Sequence, residues 1–265
     1  AVVFDLEDSV PPDRKAHARD CVARALRALP AQGPERCVRI NGLDTDDALQ
    51  DLRALPLACV DSIMVPKVES PDTLLALDAR LAELETAQGR GQPLDLIVML
   101  ETPRGILRAL PIADACRRTT ALFFGSGDYT SALGASVEDA TLHYPRSVVA
   151  AAAAAAGLAA IDAAYFLDVK DPEAARRDAD TARRLGFGGK VVFHPSQVDP
   201  VNAVFTPGDA QIDRARRIVA AYEAGLRSGH GTGVVDGVFV AVDLVPPARR
   251  LLARAQAIEA RRLQG

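Results

Sequence analysis

The sequence predicts an α/β fold, a (β/α)8 barrel of the TIM type with a C-terminal flap, and three observations carry that reading. Seven short apolar runs alternate with helix-like segments with no break in composition. The runs are continuous rather than alternating, as expected of strands buried on both faces of a parallel sheet. Two of them, 96–100 and 121–124, give way at once to a carboxylate or a glycine and then to a helix start. Residues 1–205 read as the barrel and 206–265 as a flap or lid.

Taken in order, the chain starts inside a strand, Ala1 to Leu6, ending at Glu7-Asp8. Pro11 and Pro12 open a helix that runs to about Leu29, since proline is tolerated in a first turn. The stretch 37–42 is a short strand entering a turn, and Thr45-Asp46-Asp47 starts the next helix. A third strand spans 62–68, and Ser70-Pro71 begins a helix with Leu74, Leu77, Leu81 and Leu84 on one stripe. The fourth strand ends at Glu101, and the fifth runs through Phe123-Phe124 into Gly125-Ser126-Gly127-Asp128. A loop containing Gly134 leads to an alanine-rich helix ending near Gly157. Residues 163–167 and 190–195 are expected as the sixth and seventh strands, with a helix from Pro172 between them. Regular repetition suggests an eighth strand, first in barrel order, upstream of residue 1. The flap is a helix from Thr206-Pro207-Gly208 to about Gly225, then extended chain from Val234 to Val245, then a helix from Pro246.

A formal charge of −4 without a basic block argues against nucleic acid or a membrane surface as partner and favours a small molecule. Cys21, Cys37, Cys59 and Cys116 lack zinc or redox spacing and read as thiols in a reducing compartment. No apolar run reaches transmembrane length, so a cytoplasmic protein is expected.

Ligands of α/β barrels bind at the carboxyl ends of the strands, where Glu101 and Asp128 fall. Each could simply cap the helix that follows it. As a pair they match the way Mg²⁺ is held, by one or two carboxylates with waters and substrate oxygens completing the shell. Arg39, at a strand end before Asn41-Gly42, is either a surface ion pair or a planar fork for a substrate carboxylate. Asp5, Glu7 and Asp8 either hydrogen-bond metal-bound water or cap a helix, and Lys67 is expected to pair with one of them. None of the four histidines lies in a metal-binding pattern, and no nucleophile elbow, Walker loop or Rossmann fingerprint is present.

The runs 5–10 (DLEDSV), 38–42 (VRING), 65–69 (VPKVE), 101–105 (ETPRG), 124–128 (FGSGD) and 193–198 (FHPSQV) resemble, in order, the motifs of the citrate lyase β-subunit family. This is the CitE-like branch of the HpcH/HpaI aldolase superfamily, which includes malyl-CoA and citramalyl-CoA lyases. The resemblance implies a (β/α)8 barrel, usually trimeric, that uses Mg²⁺ to cleave or form a carbon-carbon bond in a 3-hydroxyacyl thioester. It places the metal ligands on Glu101 and Asp128, Glu101 reading also as a substrate-binding residue, and the substrate-carboxylate arginine on Arg39. Family members begin with a strand and helix ahead of the DLED motif, which this sequence lacks. Their flap resembles DGKMID, whose last Asp is the acid/base. Here the run from Asp236 reads DGVFVAVD, so Ala241 stands at that position and Asp243 lies two residues on. In extended chain that is the same face about 7 Å further along, which makes Asp243 the candidate acid/base. Three readings follow: a Mg²⁺-dependent acyl-CoA lyase or synthase, an aldolase acting on free 4-hydroxy-2-oxo acids, and a non-catalytic subunit that keeps the pocket.

Overall fold

The computed structural model describes residues 1–30 and 32–262. Its contacts divide the chain into two compact units, Ala1–Val169 with Asp180–Phe193, and Lys170–Ala179 with the chain from His194 on.

The first unit is built on seven parallel strands: β1 (Val2–Asp5), β2 (Arg36–Arg39), β3 (Ser62–Val65), β4 (Asp95–Leu100), β5 (Thr119–Phe124), β6 (Ala159–Asp162) and β7 (Gly189–Lys190). They lie side by side in sequence order, β1 and β7 forming the two edges. A parallel sheet whose strands follow sequence order with a helix at each crossover is a barrel wall, here a curled half-barrel. The register puts Asp5 beside Arg39, Arg39 beside Met64, and Val65 beside Val98.

Both faces of the central strands are covered, which is why their sequences are unbroken apolar runs. Cys37, Met64, Ile97, Met99, Ala121 and Phe123 form one buried cluster on one face. The alternate residues Leu96, Val98, Leu100, Leu122 and Phe124 are equally buried on the other. Helices α1 (Lys15–Ala28), α2 (Asp46–Ala54), α3 (Pro71–Ala87), the short α4 (Pro103–Leu107) and α5 (Ala109–Ala113), α6 (Ser126–Leu133) and α7 (Asp139–Ala156) provide the crossovers. Leu74, Leu77 and Leu81 are the buried stripe of α3, and α7 ends where Gly157 takes a left-handed conformation at φ 72°.

Several elements differ from the sequence expectation. The sixth strand is Ala159–Asp162, ahead of the expected 163–167. Asp162 is fully buried and receives Arg146 (3.0 Å from each of two nitrogens) and Lys190 (2.5 Å), so the strand ends in an ion-pair cluster. The seventh strand stops at Lys190 because β6 offers no partner beyond Asp162. Asp128 stands in the first turn of α6, not in a loop at the strand end.

Helix α8 (Pro172–Arg184) crosses the boundary between the units. In the second unit α9 (Val198–Phe205) and α10 (Asp209–Arg227) are followed by a hairpin of β8 (Gly233–Val235) and β9 (Val238–Val240), and then by α11 (Val245–Arg262). The expected extended run 234–245 is therefore interrupted twice. Asp236 and Gly237, at φ 52° and 75°, make the hairpin turn, and Val242–Leu244 is a 3-10 turn. Asn-like Asp followed by Gly suits a hairpin turn that needs positive φ at both central residues.

Candidate metal and carboxylate site

Five carboxylates and two cations gather at the carboxyl ends of β1 to β5. Asp5 closes β1 and Glu7 and Asp8 follow it, Arg39 closes β2, Lys67 follows β3, Glu101 follows β4, and Asp128 follows β5.

Glu101 is 4% exposed, and its Oε1 accepts the backbone N–H of Lys67 at 2.9 Å. It does not cap the helix behind it. Thr102 does so instead, its side chain accepting the N–H of Gly105 at 3.1 Å. A Cβ on Gly125 would lie 2.5 Å from both the Cβ and Oε2 of Glu101, so only glycine leaves room for this carboxylate. Burial, then the charges of Glu7 and Asp128, push the Glu101 carboxyl up to about 8. Asp128 makes no side-chain capping bond to α6 either. Its Oδ2 lies 3.5 Å from the Lys67 ammonium and is buried with no hydrogen-bond partner.

Lys67 has φ 53°, a left-handed backbone that costs a non-glycine residue roughly 1 to 2 kcal/mol. The twist lets one residue serve three carboxylates: its N–H meets Glu101 while its ammonium reaches Glu7 Oε1 at 2.8 Å and Asp8 Oδ1 at 3.5 Å. Burial would lower the ammonium's pKa, but the bond to Glu7 and the charges of Glu7, Asp128 and Asp8 outweigh it and hold it raised. For Glu7, 5% exposed, burial wins over Lys67 and Arg39, and its carboxyl is raised.

Arg39 lays its fork on Asp5, with Nε donating to Oδ1 at 2.7 Å and Nη2 to Oδ2 at 2.5 Å. These two residues are register partners on neighbouring strands, so the bond follows directly from strand pairing. The Nη1 edge lies outside the fork, 2.9 Å from Glu7 Oε2 and 3.7 Å from Asp8 Oδ2. Although close, Glu7 Oε2 makes no hydrogen bond and is the second buried carboxylate oxygen here without one. Asp5 also accepts the N–H of Glu7 at 2.9 Å and the Ser9 hydroxyl at 2.5 Å, so it both orders the loop and aims the arginine. Burial acts to raise its pKa, but the bonds from Arg39 and Ser9 prevail and hold it at about 2.

Lys15, which sequence reasoning did not single out, donates to the carbonyls of Leu6 and Glu7 at 2.7 Å each and to Asn41 Oδ1 at 2.6 Å. No local pattern marks it, because Asn41 lies 26 residues away and is met only in the folded chain. Asp243 lies in the second unit, exposed in the 3-10 turn that leads into α11. The chain turns at Val242, so Asp243 is not on an extended strand with Ala241.

Among the described residues no three His, Cys, Asp or Glu side chains converge as a ready-made coordination shell. Mg²⁺ needs none, since it keeps several waters and takes one or two carboxylates. The residues fit such an ion: the donors are all hard carboxylate oxygens, and two of the buried oxygens have no hydrogen bond.

Fold and site together define a parallel α/β barrel-type protein with its charged groups at the carboxyl ends of the strands. The chain belongs to the HpcH/HpaI aldolase/citrate lyase family, whose sequence pattern matches residues 1–195. It is 38% identical over 262 residues to a (3S)-malyl-CoA thioesterase of Cereibacter sphaeroides (strain ATCC 17029), covering 98% of this chain and 88% of the relative. It is 34% identical over 260 residues to the citrate lyase subunit beta of Escherichia coli K12, covering 97% and 85%. Among solved structures it is similar to CitE from Mycobacterium tuberculosis in complex with magnesium, acetoacetate and coenzyme A, with TM-score 0.72, 33% identity, and coverage of 97% and 90%. Among the described residues no helix is long and apolar enough to cross a membrane.

Proposed function

We propose that the chain is a Mg²⁺-dependent carbon-carbon lyase or synthase acting on a 3-hydroxyacyl-CoA thioester such as malyl-CoA, citramalyl-CoA or a citryl thioester, with a 2-oxo acid and an acyl-CoA as products. The observation that carries this reading is the pairing of Glu101 with Asp128 in a mouth whose carboxylate oxygens are not all engaged, beside an arginine edge. Glu101 and Asp128 would hold the ion. When bound, it supplies Lewis-acid stabilisation to the oxygens of the 2-oxo acid on which charge develops. Arg39, aimed by Asp5, offers its Nη1 edge to the substrate carboxylate. Lys15 and Asn41 hold the loop that presents Glu7. Asp243 is proposed as the acid/base that handles the proton at the thioester enolate. We assign the chain to the cytoplasm, and, as the family resemblance implies, to a homo-oligomer, a trimer.

A second reading, thioester hydrolysis, is favoured by the malyl-CoA thioesterase relative and by Ala241 standing where the resemblance expects an acid. One assay separates the two. Purified protein with Mg²⁺ is offered malyl-CoA, citramalyl-CoA and free 4-hydroxy-2-oxo acids, and 2-oxo acid and free thiol are followed together. The lyase reading expects 2-oxo acid from a CoA ester without free thiol, abolished by chelation. Free thiol without 2-oxo acid would establish hydrolysis, turnover of the free acids an aldolase without CoA, and silence with intact Mg²⁺ binding a non-catalytic subunit. Asp243→Asn should slow carbon-carbon cleavage of the CoA thioester by about 10²-fold with 2-oxo acid binding unchanged. A full-rate variant removes Asp243 from the mechanism.

A further inference from the structure

Among the described residues Lys67 is the one that contacts both the Glu7-Asp8 pair and the Glu101-Asp128 pair. Its backbone N–H is bonded to Glu101, and its ammonium stands between Glu7, Asp8 and Asp128. It also keeps a left-handed backbone far from any hairpin turn. Among the described residues the only other non-glycine with positive φ is Asp236, in the β8–β9 turn, where such a conformation is ordinary. Glycine would take the Lys67 conformation at no steric cost and would still offer its N–H to Glu101, so the lysine side chain must contribute something the backbone does not.

We propose that Lys67 is a tethered counter-cation that holds the mouth together when no metal is bound and competes with the divalent ion for Asp128. This rests on the reading that Glu101 and Asp128 are the metal ligands. The Asp128 oxygen nearest the ammonium, at 3.5 Å, is the buried oxygen without a hydrogen bond. An ion bound there would sit about 2 Å from its ligand oxygens, within a few ångströms of a positive charge. Like charges that close repel, so binding drives the ammonium off Asp128. It has somewhere to go: Glu7 already accepts it at 2.8 Å and Asp8 lies at 3.5 Å. Lys67 thereby sets the metal affinity below what the carboxylates alone would give, and it prevents their mutual repulsion from opening the site when the metal leaves.

The test is calorimetric titration of Mg²⁺ into the full chain, with thermal melts in chelator and in saturating Mg²⁺. Lys67→Met keeps the backbone strain and removes the charge. It should bind Mg²⁺ more tightly by about tenfold, melt earlier than wild type in chelator, and gain more from Mg²⁺. Lys67→Gly, which relieves the strain as well, should also bind more tightly and keeps the test open if the methionine variant does not fold. Lys67→Arg, which retains a cation, should stay close to wild type. Wild-type binding that is unchanged or weakened in both uncharged variants overturns this inference alone. No Mg²⁺ binding in wild type or variants overturns the metal assignment and this inference with it.

Discussion

Two clusters of charge lie at opposite ends of the same sheet, and they are built on different rules. At the amino ends of the strands Arg118, just before β5, grips Glu85 of α3 with two bonds of 2.8 Å and also bonds Asp78. Glu85 Oε1 accepts the N–H of Leu94 at 2.7 Å as well. Every side of the guanidinium and both oxygens of Glu85 are engaged. At the carboxyl ends, five carboxylates share Arg39 and Lys67, and Glu7 and Asp128 each keep a buried oxygen without a hydrogen bond. A saturated cluster contributes to the fold, whereas an unsaturated one in which carboxylates outnumber cations is suited to a ligand of positive charge. This is the division between stability and chemistry that barrel enzymes show between their two ends.

The largest effect expected from this contrast is at the saturated end. Glu85→Ala would leave Arg118 with Asp78 as its one carboxylate and strand the Leu94 N–H, and should destabilise the chain by about 3 kcal/mol in denaturant unfolding. A loss below about 1 kcal/mol would mean that the cluster is not structural. Next comes the Asp5 clamp, the one saturated carboxylate of the mouth. Its pKa is held at about 2 against an ordinary 3.8, so its ionised form is favoured by folding. The stabilisation is therefore complete above pH 3.8, is lost as pH falls towards 2, and amounts to about 2 kcal/mol at neutral pH. Acid unfolding of Asp5→Asn should show correspondingly less dependence on pH in that window, and a profile identical to wild type would refute the clamp. The smallest effect is at Asp128, where an asparagine should change metal-free stability by no more than about 0.5 kcal/mol, because the carboxylate removed has no hydrogen bond through its buried oxygen.

The same contrast explains what could be read from the sequence. Strands β3, β4 and β5 were legible because burial on both faces leaves unbroken apolar runs. Glu101 and Asp128 stood out because a carboxylate follows such runs with few intervening residues. Residues 163–167 misled because alanine-rich chain is apolar whether or not it is paired. The true end of β6 is fixed by Asp162, whose partners Arg146 and Lys190 lie 16 and 28 residues away. The Asp5–Arg39 clamp depends on strand register, and the left-handed turn at Lys67 on the position of Glu101, 34 residues away in each case. Neither leaves a local pattern. In the second unit the Asp236-Gly237 pair is a readable turn signal for the hairpin, whereas the 3-10 turn at Val242–Leu244 that takes Asp243 off extended chain carries no such signal.

The mouth is read as a cation site made of incompletely engaged carboxylates. The most direct test is Mg²⁺ titration by calorimetry of wild type, Glu101→Gln and Asp128→Asn, with circular dichroism to confirm that each is folded. Binding in the wild type, lost in both variants while their fold persists, is the expected result, since each removes one of two ionic ligands. Wild-type affinity in both variants would contradict it.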